Sequence, residues 1–318
     1  MGEEWVSAQR RDSVAQQLVA RALKVFGEPW GLLVLDKPEG ITSHTAVQRV
    51  RRALGASRAG HAGTLDPLAT GILLVGLGRA TRLLEYLVGH EKEYRARVRL
   101  GERRDTLDRE GRLLETRPVP DLGRARVEDA LRAWRGTRVQ VPPAYSAVKI
   151  AGVPLHRRAR RGEEVAPPPR TVEIRELELL DLSVPDLVLR IVCSSGTYVR
   201  SLARDLGDAL GTGAILWELT RTRSGPFGLE GAPSLGQVEE AGPLAWSWVL
   251  PPGRMVEALP RRNLSADEVR DVCRGRAVPG RAPEPGPVGL FDPEDNLVAV
   301  AREEAGCLQP LKVFGGSG

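Results

Sequence analysis

The sequence predicts an α+β protein of 318 residues with a main domain and a smaller β-rich one. Three observations carry that expectation. Strand-like apolar stretches are broken by single amphipathic helices, without the regular β-α-β alternation of a doubly wound fold. Glu91 to Leu100 alternates, with Tyr94, Ala96, Val98 and Leu100 on one side and Arg95, Arg97 and Arg99 on the other, which is a half-buried strand with a basic outer face. Beyond a Gly- and Pro-rich linker ending near Arg254, short strands follow in close succession. The chain is 42% hydrophobic, enough for a sizeable core, and its length suits two domains.

Residues 1–29 read as a species-specific N-terminal extension, helical from about Ala8; Glu3, Glu4 and Asp12 argue against a transit peptide. Trp30 to Leu35 is a strand. Ser43 is placed to cap a helix with Ala46, Val47, Val50 and Leu54 on one side and Gly55 past its end. Ile72 to Val75 is a buried strand, and Thr81 to Val88 a short helix. Gly101 to Arg124 is polar and loop-rich. Val127 to Trp134 is an amphipathic helix, Val139 to Lys149 leads into a strand, and His156 to Arg161 is a basic helix. Val172 to Leu182 and Leu187 to Cys193 pair as strands. Gly196-Thr197 opens a helix through Leu210, and Ala214 to Thr220 is a further strand. In the last part, Ser265 starts a helix, and strands fall at Val288–Phe291, Leu297–Ala301 and Cys307–Val313, with a turn at Asp292 to Asp295.

The formal net charge of +5 favours a polyanionic partner, and the basic excess lies upstream of Met255. It clusters at Arg49 to Arg52, on the Arg95, Arg97, Arg99 strand face and at Arg157 to Arg161, the last two being candidate contacts for a nucleic-acid backbone. No apolar run is long enough to cross a bilayer and no signal-peptide pattern is present, so a cytoplasmic location is expected. The odd set Cys193, Cys273 and Cys307 has neither zinc spacing nor a disulfide framework. No glycine-rich nucleotide motif follows a strand and no histidine pair has metal-ligand spacing; neither cofactor nor metal is expected.

One stretch gathers unusual punctuation around a carboxylate: Gly60-His61-Ala62-Gly63-Thr64-Leu65-Asp66-Pro67-Leu68-Ala69-Thr70-Gly71. Asp66 precedes proline and is pushed toward an extended conformation. The glycines free the backbone ahead of it, and the strand behind anchors it. The pattern reads as an acid on a tight loop aimed into a cleft. An ordinary Asx turn is the competing account, and by itself the commoner one.

This loop, Leu35-Asp36-Lys37-Pro38, Lys92-Glu93-Tyr94-Arg95, Gln140 to Ala147, Cys193 to Arg200, Leu219-Thr220-Arg221-Thr222 and Gly225-Pro226-Phe227 together resemble the TruB-type tRNA pseudouridine-55 synthases, in that family's order from about Trp30 to the end. The resemblance implies a mixed, largely antiparallel sheet flanked by helices in a catalytic domain at 30–254, and a PUA-like RNA-binding domain at 255–318. It implies isomerisation of uridine in the T-loop of tRNA by base flipping, without a cofactor. Asp66 matches the family's nucleophile, Arg200 the arginine that pairs with it, and Tyr94 the tyrosine against the target base. Tyr198 and Leu219 match residues lining the uracil pocket, and His61 the histidine that fills the place of the flipped base. Lys37, Pro38 and Lys149 are expected to support the site or touch phosphate. The chain departs from the family at Leu155-His156, where Leu-Tyr is common. A stand-alone, monomeric enzyme acting on the T-arm of tRNA without a protein partner is expected. A guide-RNA-dependent homologue and a non-catalytic RNA-binding protein are the alternatives.

Overall fold

The computed structural model describes residues 29–145, 149–150, 153–154 and 167–315. The expected basic helix at His156 to Arg161, the side chain of Lys149 and the N-terminal extension up to residue 28 lie outside them.

The strands of the first part are β1 (Gly31–Lys37), β2 (Ala59–Ala62), β3 (Ala69–Leu77), β4 (Lys92–Leu100), β5 (Glu102–Arg104), β6 (Leu113–Thr116), β7 (Gly136–Gln140), β8 (Lys149–Ile150), β9 (Val153–Pro154), β10 (Arg170–Ser183), β11 (Asp186–Cys193), β12 (Ala214–Ser224) and β13 (Phe227–Gly228). Its helices are α1 (Ser43–Leu54), α2 (Glu85–Val88), α3 (Arg124–Ala133), α4 (Val199–Leu210) and α5 (Leu235–Ala241). Nine strands form one sheet in the order β1-β3-β12-β4-β11-β10-β7, with β2 added on β3 and β13 on β12. Every pairing is antiparallel except β12 with β3. The sheet is therefore mixed and largely antiparallel, as the resemblance implies.

The strand alternation sets the layers. Ala96, Val98 and Leu100 of β4 point into a core closed by Val127 and Leu131 of α3 and by Leu202, Ala203, Leu206 and Leu210 of α4. Both β1 and β3 are buried on two faces, which is why they read as unbroken apolar runs. Leu33, Leu35, Leu73 and Val75 pack under α1 and α5. Leu32, Ile72 and Leu74 share a cluster with Met255, Val256, Phe291, Leu297, Val300 and Phe314.

The second sheet has five strands: β14 (Arg261–Asn263), β15 (Val278–Pro279), β16 (Pro287–Phe291), β17 (Leu297–Glu304) and β18 (Cys307–Val313), in the order β14-β16-β17-β18-β15. Helix α6 (Ala266–Cys273) lies against it, started by the expected Ser265 in a capping box with Glu268. This β-rich part is fused to the main sheet. Phe314 stacks on Trp30 with ring centres 5.0 Å apart. Arg79 Nη1 donates to Phe314 O at 3.1 Å, and Lys312 pairs with Glu85. Cutting the chain at 255 would open an apolar cluster of the main sheet as well as remove the second one.

Three local expectations change. Thr42, not Ser43, caps α1 by accepting from Thr45 N at 3.0 Å; Ser43 is free to act elsewhere. The Gly- and Pro-rich linker contains α5, capped by Ser234 with Gln237, and two 3₁₀ segments at Gly242–Trp248 and Pro252–Val256. Their short length and dense Gly and Pro hide the helical period. Two of the three arginines on the outer face of β4 are paired across the sheet, while Arg95 stays exposed. Antiparallel register sets Arg99 opposite Asp186, and the two pair at 2.8 Å; Arg97 pairs with Glu218 of β12 at 3.4 Å. Next to them Arg190 pairs with Glu93 at 2.9 Å, and with Glu176 and Glu178 of β10. The neighbouring strands supply the acids that β4 read alone does not show.

Candidate active site

The aspartate loop joins β2 to β3 and is held at several points. Ser43 Oγ donates to Leu65 O at 2.9 Å and accepts from Leu65 N at 2.8 Å. Gly40 N donates to Pro67 O at 2.9 Å. Lys37 is fully buried, and its ammonium donates to Pro38 O at 2.7 Å, Ile41 O at 2.8 Å and Pro67 O at 3.4 Å. The whole strand-to-helix connection is thus tied to the residue after Asp66. Burial first, then the charge of Arg221, pulls the Lys37 amine down to about 8 against the attraction of Asp66. Lys37 supports the loop and does not reach solvent; Pro38 is exposed beside it.

Asp66 faces a cavity of about 470 Å³. Tyr94, Tyr198, Arg200 and Leu219 line the same cavity, with Lys92, Arg170, Leu216 and Arg221. Of the residues expected at the site from sequence, His61, Lys37 and Pro38 have described side chains but stay out of this lining. His61 is half-buried on β2, and burial followed by Arg221 lowers its pKa, so it is neutral near pH 7.

Arg200 stands in the first turn of α4 and is 5% exposed. Gln140 of β7 sets that helix start: its Oε1 accepts from Tyr198 N at 2.7 Å and its Nε2 donates to Tyr198 O at 3.1 Å. Arg200 Nε lies 2.9 Å from Asp66 Oδ2, but its N–H is turned off that oxygen, so the contact is ionic rather than an aligned hydrogen bond. Nη1 donates to Thr106 O at 3.1 Å and Nη2 to Tyr145 O at 3.0 Å. A second acid, Asp108, lies 3.5 Å from Nη1 and is 5% exposed. It accepts from Thr106 Oγ1 at 2.6 Å and from Glu110 N at 3.1 Å. The buried guanidinium therefore bridges two carboxylates.

Burial raises the Asp66 carboxyl above its ordinary value; Arg200 opposes that rise, Asp108 adds to it and Lys37 opposes it. The side chain keeps 37% of its surface, and it lines the cavity.

Tyr94 is 8% exposed, and burial raises its phenol, which stays protonated at neutral pH. Arg221 is 1% exposed beside it. It donates to Ile72 O at 2.7 Å and Gly63 O at 2.9 Å, tying β12 to both ends of the aspartate loop. Gly71, with φ of +94°, permits this approach: a Cβ there would sit 2.3 Å from Arg221 O. Lys92 donates to Val88 O at 2.8 Å and His90 O at 2.5 Å, and burial lowers its amine to about 8. Among the described residues no cluster of three or more His, Cys, Asp or Glu forms a metal cage.

Sequence reading passed over Ser43, Asp108, Gln140 and Arg221 as parts of the site. Arg221 had a signal: it stands two residues after Leu219, and so on the same strand face. Asp108 had none, because it comes from the polar stretch after β5 and reaches Arg200 only through tertiary packing.

Fold and site together define a pseudouridine-synthase domain, with a loop carboxylate ion-paired to a buried arginine in a cavity that also holds a tyrosine. Family models agree along the chain. "TruB family pseudouridylate synthase (N terminal domain)" matches residues 51–199, "tRNA pseudouridylate synthase B C-terminal domain" residues 200–245, and "tRNA Pseudouridine synthase II, C terminal" residues 259–315. The tRNA pseudouridine synthase B of Thermobifida fusca is 46% identical over 296 residues, covering 90% of this chain and 99% of the relative. That of Gloeobacter violaceus is 47% identical over 289 residues, covering 89% and 98%. Among solved structures, a chain of a Cbf5-Nop10-Gar1 complex is similar with a TM-score of 0.70 at 29% identity, covering 90% of this chain and 85% of that one. A chain of the archaeal box H/ACA sRNP Nop10-Cbf5 complex gives 0.69 at 27%, covering 90% and 86%. The chain belongs to the TruB family of tRNA pseudouridine synthases, RNA-modifying isomerases that convert uridine to pseudouridine.

Proposed function

We propose that this enzyme isomerises uridine 55 in the T-loop of tRNA, with Asp66 as nucleophile. The observation that carries the reading is an acid on a braced loop, ion-paired to Arg200 and sharing a cavity with Tyr94. Uracil must part from ribose at N1, turn, and rejoin through C5, whose hydrogen leaves to solvent. A carboxylate in an enclosed pocket holds the fragments together through that exchange. Arg200 keeps Asp66 charged where burial would protonate it. Tyr94 and Leu219 provide faces against the base, and the protonated phenol can donate a hydrogen bond to a ribose or base oxygen.

A base stacked in a folded loop has to be extruded first, at a cost of a few kcal/mol. His61, neutral and beside the aspartate loop, is suited to fill the vacated stack. Residues 30–254 form the catalytic part and 255–318 a PUA-like part that adds RNA contact. The enzyme works alone, as a monomer, in the cytoplasm; among the described residues no helix is long and apolar enough to cross a membrane. The likeness to chains from Cbf5 complexes supports the fold, while the names of the curated relatives support action on tRNA. The test is tritium release from an unmodified tRNA transcript labelled at uracil C5, with the purified chain and no other protein. One equivalent released per tRNA is expected, abolished when uridine 55 is replaced by cytidine. No release by the chain alone contradicts the proposal.

A further inference from the structure

Four cations line the cavity of Asp66, and three are already engaged. Arg200 faces Asp66 and Asp108, while Lys92 and Arg221 hold backbone carbonyls. Arg170 is the exception. It opens β10, is half-buried, and lies with its guanidinium 5.6 Å from the centre of the Tyr198 ring. Among the described residues Nη1 makes one long hydrogen bond, 3.5 Å to Gly196 O, and the buried Nε has no hydrogen-bond partner. Among the described residues no Asp or Glu pairs with it. Gly196, at φ +82°, leaves room for it, since a Cβ there would come within 3.2 Å of Nη1. The first turn of α4, Tyr198 to Arg200, lines the same wall and adds the positive end of its dipole.

A partly desolvated guanidinium with no counter-ion among the described residues is open to an anionic ligand. The RNA substrate supplies one anion per nucleotide. A guanidinium held over an aromatic ring, with its N–H edge open, suits a phosphodiester. We propose that Arg170 is the phosphate anchor of the cavity: set over the Tyr198 ring, it takes the backbone phosphate of the entering nucleotide and so sets where the target ribose stands relative to Asp66. This rests on the proposed function, and Arg170 acts in it as a positioning residue.

The experiment compares wild type with Arg170→Gln, Arg170→Ala and Arg170→Lys on a T-arm RNA, by tritium release across a salt series, with thermal melting as the check on folding. The expected result for Arg170→Gln and Arg170→Ala is a KM raised about tenfold, a kcat within about threefold of wild type, and a slope of log(kcat/KM) against log salt that is shallower by about 0.7–0.9, one phosphate contact. Arg170→Lys, which keeps a point charge, is expected to keep the wild-type slope. A slope unchanged in both neutral variants overturns the proposal, whatever their KM, because a residue that only props the Gly196 turn carries no counter-ion release. Absence of release by the wild-type chain would instead break the proposed function, so the two failures are distinguishable.

Discussion

The two faces of the central sheet handle arginine in opposite ways. On the outer face, Arg97, Arg99 and Arg190 meet carboxylates on neighbouring strands and stay partly in water. On the cavity side, Arg221 and Lys92 are buried and bonded to backbone carbonyls, and Arg200 is buried between two acids. Outer pairs are weak individually because solvent screens them and long side chains must be ordered. Inner cations, deprived of water, fix backbone and charge together. The difference bears on the loop acid: burial raises the Asp66 carboxyl, and the charges of Arg200 and Lys37 oppose that rise.

Breaking the inner side should have the largest effect. Arg200→Met leaves Asp66 and Asp108 close together without their shared counter-ion. We expect tritium release to fall at least a thousandfold, and stability to drop by about 3–5 kcal/mol in chemical denaturation. Activity within tenfold of wild type would mean that Arg200 does not serve the acid.

Removing the brace is expected to cost less. Ser43→Ala orphans both backbone groups of Leu65, a loss of about 1–3 kcal/mol, with kcat lowered more than KM is raised, because the acid is displaced and the RNA contacts are not. A KM effect alone would contradict that placement.

The comparison is sharpened by pH. Asp66 must be ionised, and its pKa is raised above the ordinary 3.8 by burial and by Asp108. Activity should therefore be lost as pH falls through a value above 3.8. Asp108→Asn removes one raising charge and should shift that acid limb to lower pH. A limb that moves up, or does not move, would show that Asp108 does not act on Asp66 through its charge. The smallest effect belongs outside: Arg97→Ala should change stability by no more than about 0.5 kcal/mol and leave the salt dependence of kcat/KM untouched. A shallower slope would return the outer face to the RNA path.

The roles of Asp66, Tyr94, Leu219 and Arg200 came from the family resemblance, and residue spacing alone marked only part of this inner face. Lys92 and Tyr94, like Leu219 and Arg221, stand two apart on their strands and so share a face. The Asp66-Pro67 step and the glycines around it marked the loop. What spacing could not reveal was partnership across distant segments. Ser43 looked like a cap, and only packing turns it onto Leu65. Asp108 sits in a polar stretch with no period. Arg97 and Arg99 looked free because Glu218 and Asp186 lie on other strands, and register is a tertiary property. Helix α5 was lost among glycines and prolines for want of length.

The central claim is that Asp66 does the chemistry rather than the holding. Asp66→Asn keeps the size of the side chain and leaves Arg200 its second acid, Asp108. Its tritium release and its affinity for T-arm RNA, measured on one preparation, decide the matter. The account predicts affinity within about threefold of wild type with no detectable pseudouridine; turnover near the wild-type rate would contradict it.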